Sequence, residues 1–345
     1  MPTVPAPALV FDADALAVVA QDPAGGLAFS PLSDTPFLLV DAGSALAARE
    51  QAVIAAWLRA LPAPSIAIGG HGGSALARAC DTQVDSLDAA QALLDGIRRA
   101  PRAATVLVQL LRATETMPVA DALVAESFAY ATLQAGAEYL AWLAVNRAPA
   151  PAVATDDGPA VRIARNGEDT LRLTLNRASN RNAMSVEMRD ALCEALQLVL
   201  ADASVACVRL DANGKCFSTG GDLTEFGSAP DSATAHIVRS LALPGRLLHR
   251  VRERVTVQVH GACIGSGIEF PAFAGRIEAR ANAWFQLPEL KYGLIPGAGG
   301  CVSVARRIGR QRTAWMVLSG ARIDAHTARD WGLVDAVVDA PLERA

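Results

Sequence analysis

Four short segments in the second half of the chain limit its fold more than anything else in the sequence. Cys216-Phe217-Ser218-Thr219-Gly220-Gly221-Asp222-Leu223 comes first, and Gly261-Ala262-Cys263-Ile264-Gly265-Ser266-Gly267-Ile268-Glu269 follows. Phe285-Gln286-Leu287-Pro288-Glu289 then runs into Gly293-Leu294-Ile295-Pro296-Gly297-Ala298-Gly299-Gly300. The first two are glycine-rich turns, where bare backbone N–H groups can approach a ligand. The second and third each set a carboxylate, Glu269 or Glu289, close to such a turn. Two converging N–H donors and two carboxylates are what enolate chemistry on a thioester calls for.

The residues around these turns alternate strand and helix signals. Leu171–Leu175 has period two and reads as a strand. Ser185 caps a helix with apolar residues at Met188, Leu192, Ala195, Leu196 and Val199. Val205–Leu210 reads as a strand, Ala235–Val251 as one helix, and Val255–Val259 as a strand feeding the second glycine turn. The repeating unit is strand, turn, helix, which makes the class α/β.

Alternating Ala-Pro over residues 148–159 favours extended chain and, with Asp157-Gly158-Pro159, marks a linker. It divides an N-terminal domain, 1–147, from a C-terminal one, 160–345. In the N-terminal half, Pro36–Val40 and Ser65–Ile68 read as strands, and Ala47–Ala60 and Asp88–Arg99 as helices. Val119–Leu143 has a helical period after Pro118, either as one helix or as two broken at Gly136. Gly69-Gly70-His71-Gly72-Gly73 after a strand is read as a turn, since it lacks dinucleotide-loop spacing and a following helix signature, with an anion-binding nest as the alternative.

Composition removes several function classes. The chain is 52% hydrophobic and 19% charged over 345 residues, enough for a large core. No stretch of about eighteen apolar residues runs free of charge, so no membrane partner is expected. The N-terminus shows no basic region ahead of an apolar one, so no signal peptide is expected, and the scattered cysteines point to a reducing cytoplasm. A net charge of −4 gives no reason to expect nucleic acid. The six cysteines form no C-x-x-C pair, so neither zinc nor a disulfide framework is expected. The five histidines have no recognisable nucleophile partner, and His260 reads as a loop-stabilising residue.

Taken in order and spacing, these motifs resemble the crotonase, or enoyl-CoA hydratase/isomerase, superfamily over about residues 160–339. The likeness begins at Leu175-Asn176-Arg177 and Asn182-Ala183-Met184-Ser185. It runs through the glycine turns, Pro288-Glu289 and residues 295–300, to Arg307-Ile308-Gly309, Leu318-Ser319-Gly320 and Trp331-Gly332-Leu333-Val334-Asp335. The resemblance implies a crotonase-type spiral of strand-strand-helix repeats, with an extra N-terminal α/β or helical domain. It implies that Gly221 and Ser266 supply the oxyanion N–H donors and that Glu269 and Glu289 are the paired catalytic acids. Arg181, Ala183, Gly221, Asp222, Leu223, Thr224, Gly265 and Ser266 are the implied contacts to substrate and CoA. Arg181 stands near where relatives carry a lysine, and Ser266 where many carry glycine.

The implied activity is hydration of an enoyl-CoA ester, with coenzyme A arriving as part of the substrate and no further cofactor or metal. Isomerase, thioester hydrolase or another reaction of the superfamily is the first alternative, and a non-catalytic acyl-CoA-binding subunit the second. A homo-oligomer, trimer or hexamer, is implied as well. Relatives continue past the segment matching 331–334 into a helical tail that covers the CoA. Residues 126–142 faintly resemble that tail. The N-terminal half therefore reads either as its replacement or as an unrelated helical packing domain.

Overall fold

The structure is a computed structural model and describes residues 9–44, 48–69, 74–146 and 156–339. Residues 70–73 of the Gly-His-Gly segment and 148–155 of the linker lie outside the described residues.

Four parallel strands form the N-terminal sheet in the order β1-β2-β3-β4: β1 (Val10–Phe11), β2 (Leu38–Asp41), β3 (Ser65–Ile68) and β4 (Thr82–Val84). Helices α1 (Ala13–Gln21), α2 (Ala48–Ala60) and α3 (Ala75–Ala79) lie between successive strands. The strand expected at 36–40 begins two residues later, where Leu38 pairs with Ser65. Its side chains alternate between two cores. Leu38 and Val40 join Leu16, Ile54 and Leu58, while Phe37 and Leu39 join the main core of the molecule. Both faces of the strand are thus buried, as the period-two geometry allows.

Four longer helices follow: α4 (Leu87–Arg99), α5 (Pro101–Thr114), α6 (Val119–Gln134) and α7 (Ala137–Asn146). Ser86 accepts from the Ala89 N–H and caps α4, and Pro101 opens α5 at a position where its missing N–H leaves nothing unpaired. The periodic segment from Val119 is two helices, parted at Ala135-Gly136. Sequence reading did not anticipate α5.

The C-terminal half opens with the antiparallel pair β5 (Val161–Asn166) and β6 (Thr170–Leu175). Then come α8 (Val186–Ala201), capped by Ser185 as expected, and β7 (Cys207–Ala212). The expected strand at 205–210 starts later because Val205 is still in the turn that bonds Asp202. The helix expected over 235–251 is two, α9 (Ser232–Leu241) and α10 (Pro244–Val251). Pro244 lacks the N–H needed to continue α9 and starts a new helix at N1.

Next come β8 (Val255–Val259), β9 (Ala262–Ile264), the single-turn helix α11 (Ser266–Glu269), β10 (Arg276–Arg280) and β11 (Trp284–Gln286). The chain continues through α12 (Gly300–Ser319), β12 (Ile323–Asp324), α13 (Ala325–Trp331) and β13 (Ala336–Val338). A six-stranded sheet runs β13-β10-β8-β7-β6-β5, parallel except at its β5 edge. A second sheet, β12-β11-β9, stands beside it. This is the α/β class expected.

One buried cluster runs through both halves, from Phe37, Leu93 and Leu107 to Phe270, Leu290 and Val317. Helices α4 and α5 pack along α12. A buried ion network adds direction to this contact. Asp81 takes Arg112 at 2.5 Å and Arg310 at 3.3 Å, and its second oxygen also accepts from the Ser65 N–H. Arg112 spends further donors on the carbonyls of Leu61 and Ala63. Each ion in the group has hydrogen-bonded partners, which lowers the cost of burying it, although Arg310 Nε meets only Glu115 Oε1 at 3.6 Å.

Candidate active site

The two glycine turns lie side by side. Ser218 donates to the Ala262 carbonyl at 3.2 Å and accepts from the Ile264 N–H at 3.1 Å. From the other side the first turn is held by residues 181–184. Thr219 donates to the Arg181 carbonyl, Met184 to Gly220, and Asp222 to Met184. Gly265 N–H bonds the Gln286 carbonyl, tying the second turn to β11. After these contacts the N–H groups of Gly221 and Ser266 meet no protein acceptor among the described residues. Both residues line one cavity of about 470 Å³.

Glu269 and Glu289 line the same cavity and are both buried, at 2% and 8% exposure. Glu289, in the loop after Pro288, is thus held away from water. The two carboxylates converge on Gly265, whose φ of 50° is left-handed. A Cβ there would sit 2.7 Å from Glu289 Oε1 and 3.7 Å from Glu269 Oε1. Only glycine satisfies both the backbone angle and the approach of the acids.

Glu269 ends the single turn of α11, and its carboxylate is aimed at a different helix. Glu269 Oε2 accepts from the N–H groups of Ala298 at 2.7 Å and Gly300 at 3.0 Å, at the start of α12. The alternate donors go to a third buried carboxylate, Glu126 of α6. Gly299 N–H bonds Glu126 Oε1 at 2.7 Å and Cys301 N–H bonds Oε2 at 2.9 Å. Four consecutive N–H groups at a helix N-terminus are thus shared between two acids from the two halves of the chain. This satisfies donors that no residue of α12 could cap, since the cap position is Gly299.

The environments push the three acids upward by different amounts. Burial raises Glu269 to about 7, with the α12 N–H bonds pulling it back. Burial raises Glu289 well above the usual carboxylate range, and repulsion from Glu269 adds to it. Its Oε2 has no hydrogen-bond partner. Glu126 is also held well above the usual range by burial and by Glu269. Glu269, held by two N–H donors, is thus the easier of the pair to ionise, and Glu289, with an unpartnered oxygen, the harder. A base and an acid side by side, next to open N–H donors, can polarise a carbonyl while moving a proton on and another off.

Of the remaining residues singled out from sequence, Asp222, Leu223 and Gly265 line the cavity. Arg181, Ala183 and Thr224 do not. Arg181 is exposed in a left-handed turn at φ 61°, and it is its carbonyl that supports the first glycine turn. Ala183 is buried and bonds Asn180, and Thr224 closes a local turn onto Asp222. His260 bonds the Gly214 carbonyl at 3.0 Å, the loop role expected of it. The Ser266 hydroxyl is buried at the cavity wall without a partner.

The N-terminal half contributes walls that the sequence did not assign. Tyr130 and Gln134 of α6 and Tyr139 of α7 line the cavity, facing Arg239 of α9. Trp142 packs edge-on against Phe226 and Tyr292, the aromatic residues that follow Asp222 and Glu289. The available signal was the segment 126–142, which supplies Glu126, Tyr130, Gln134, Tyr139 and Trp142.

A sequence profile described as Enoyl-CoA hydratase/isomerase matches residues 166–343. The chain is 34% identical over 172 residues to the 2,3-dehydroadipyl-CoA hydratase of Escherichia coli (strain K12), covering 50% of this chain and 67% of that protein. It is 32% identical over 174 residues to the 1,2-epoxyphenylacetyl-CoA isomerase of the same organism, covering 49% and 66%. The solved enoyl-CoA hydratase of Thermoplasma volcanium GSS1 aligns at 29% identity over 53% of this chain and 73% of that one, with a TM-score of 0.48. Between about a quarter and a third of each relative, and about half of this chain, stays outside the match, and the profile leaves residues 1–165 unmatched.

Proposed function

The chain belongs to the enoyl-CoA hydratase/isomerase family, and from that premise we propose that it adds water to the double bond of a 2-enoyl-CoA ester. The observation that carries this reading is the pair of buried carboxylates meeting at Gly265, with Glu269 the easier to ionise and Glu289 the harder.

The thioester oxygen sits between the N–H groups of Gly221 and Ser266. One such donor is worth about 3 kcal/mol at a transition state that develops an oxyanion. Glu269, ionised, takes a proton from a water molecule as its oxygen bonds the β-carbon. The π electrons move onto the thioester oxygen as an enolate. Glu289 then gives its proton to the α-carbon, and the carbonyl re-forms. Proton return from Glu269 to Glu289 through solvent resets the pair. Coenzyme A enters as part of the substrate, and the reaction needs no further cofactor.

An isomerase reading needs only one carboxylate to carry a proton between two carbons. Substitution separates the two. Glu269→Gln and Glu289→Gln should each lower kcat for hydration by at least ~10²-fold with far smaller changes in KM, read by loss of enoyl absorbance. Near-normal hydration by both variants would remove the two-carboxylate mechanism. Full double-bond migration by one of them would favour the isomerase. The names of the matched relatives differ in acyl group, so the acyl specificity has to come from this chain's own pocket.

A further inference from the structure

Arg239 is the cation of the cavity wall that lacks an anion. Two basic side chains line the cavity among the described residues, Arg189 and Arg239. Arg189 pairs with Asp190 at 2.7 Å. Arg239 has no carboxylate within ion-pair distance among the described residues. Its partners are all neutral: Nε donates to the Ser127 hydroxyl at 3.1 Å, Nη1 to Gln134 Oε1 at 2.9 Å and Nη2 to the Ser127 carbonyl at 3.3 Å. Three of five N–H groups are used, which leaves two for something else. The acid that acts on it through space is Glu126, whose two oxygens are already taken by Gly299 and Cys301. Burial lowers the Arg239 pKa, the sign of a cation held away from water without full compensation.

Its position says which part of a substrate it meets. The guanidinium lies over the Tyr130 ring, 4.6 Å from the centroid. That ring packs so closely on Gly297 that a Cβ there would fall 2.2 Å from it. Gly297 directly precedes Ala298, whose N–H holds Glu269. Arg239 is therefore one aromatic ring away from the peptides that hold the candidate base. The phosphates of coenzyme A lie a whole pantetheine arm from the thioester, too far to be its partner in the same pose. The acyl chain, which starts at the thioester, is the part that reaches this wall.

We propose that the acyl group accepted by this site carries a carboxylate, bound by the Arg239 guanidinium beside the Gln134 amide, and that Arg239 sets specificity for it. This rests on the acyl-CoA reading above and names its substrate class. A planar guanidinium with two spare donors matches a carboxylate in two-point contact.

The test uses saturated thioesters, which bind and cannot be hydrated, so the result is readable even if the chain proves not to be a hydratase. Affinities of succinyl-, glutaryl- and adipyl-CoA are compared by calorimetry with those of butyryl-, pentanoyl- and hexanoyl-CoA and of free coenzyme A, on the full chain. The wild type should favour at least one carboxylated ester over its neutral counterpart by about 10–100-fold. Arg239→Gln should bring that ratio close to one, and Arg239→Lys should keep part of it. Neutral esters bound as tightly as carboxylated ones by the wild type would overturn the proposal. An equal loss across both series and free coenzyme A in Arg239→Gln would overturn it too, by assigning the residue to phosphate binding or to holding α6 against α9.

Discussion

Glu289 is a carboxyl that the fold keeps against its own chemistry. It is buried, its Oε2 is unpartnered, and Glu269 converges on the same glycine. Its folded pKa stands well above the unfolded value of about 4.3. The contribution of such a group to stability is fully present below the unfolded pKa and is lost as pH rises through the folded one. The wild type should therefore lose stability to this residue from about pH 4.3 upward, across the neutral range where the site is proposed to work. Glutamine has nearly the shape of the protonated acid and carries no such titration. Glu289→Gln should accordingly melt higher than the wild type at neutral and basic pH, with the difference shrinking toward acid. Melting temperatures of both proteins over a pH series check this. A difference that does not change with pH would mean the acid is ionised without penalty in the fold. The expected pattern, a more stable and less active variant, is what a site that holds strained groups for function should give.

At the scale of elements, the start of α12 is the joint on which the site turns. The helix cannot cap itself, because Gly299 has no side chain, so Glu269 and Glu126 divide its first N–H groups between them. Removing Glu126 leaves two buried donors unpaired, at about 1–3 kcal/mol each. Glu126→Ala should cost about 2–6 kcal/mol of stability in urea denaturation and lower kcat by ~10-fold while KM moves little, since the freed peptides alternate with those that orient Glu269. Glu126→Gln keeps one acceptor and should fall between. An alanine variant with unchanged stability would show that other groups satisfy these donors. Much of this element was readable beforehand. The family resemblance implied one site for Gly221, Ser266, Glu269 and Glu289, and all four line one cavity; Ser185 capped its helix as expected. What stayed hidden depends on contacts that no local pattern encodes. Nothing around Glu126 says that a residue in the middle of α6 will meet backbone 173 positions later. The break between α9 and α10 is the opposite case. Pro244 was visible, and the apolar period running on both sides of it masked its effect.

For the whole molecule the question is what the first half is for. Helices α4 and α5 lie along α12, the Arg112–Asp81–Arg310 network ties the N-terminal sheet to that helix, and α6 and α7 bring Tyr130, Gln134 and Tyr139 to the cavity wall. The buried cluster does not stop at the boundary between halves. Joined this way, the halves should hold together by burial alone, with the 147–155 connection adding only effective concentration. We propose that the N-terminal half is the cover that completes the acyl pocket. A protease site placed within 148–155 tests it directly. After cleavage the two pieces should co-elute and keep activity within ~3-fold, because the contacts described at the site use no residue of 148–155 and a shared apolar core holds the pieces together. Residues 156–345 expressed alone should aggregate or fail to bind CoA esters, since the α12 surface and the Gly299 and Cys301 donors would be stripped of their partners. Adding back the N-terminal piece during refolding should restore binding. A C-terminal piece that is soluble and fully active alone would show that the first half is dispensable to the site and that Glu126 and Tyr130 only pack against it.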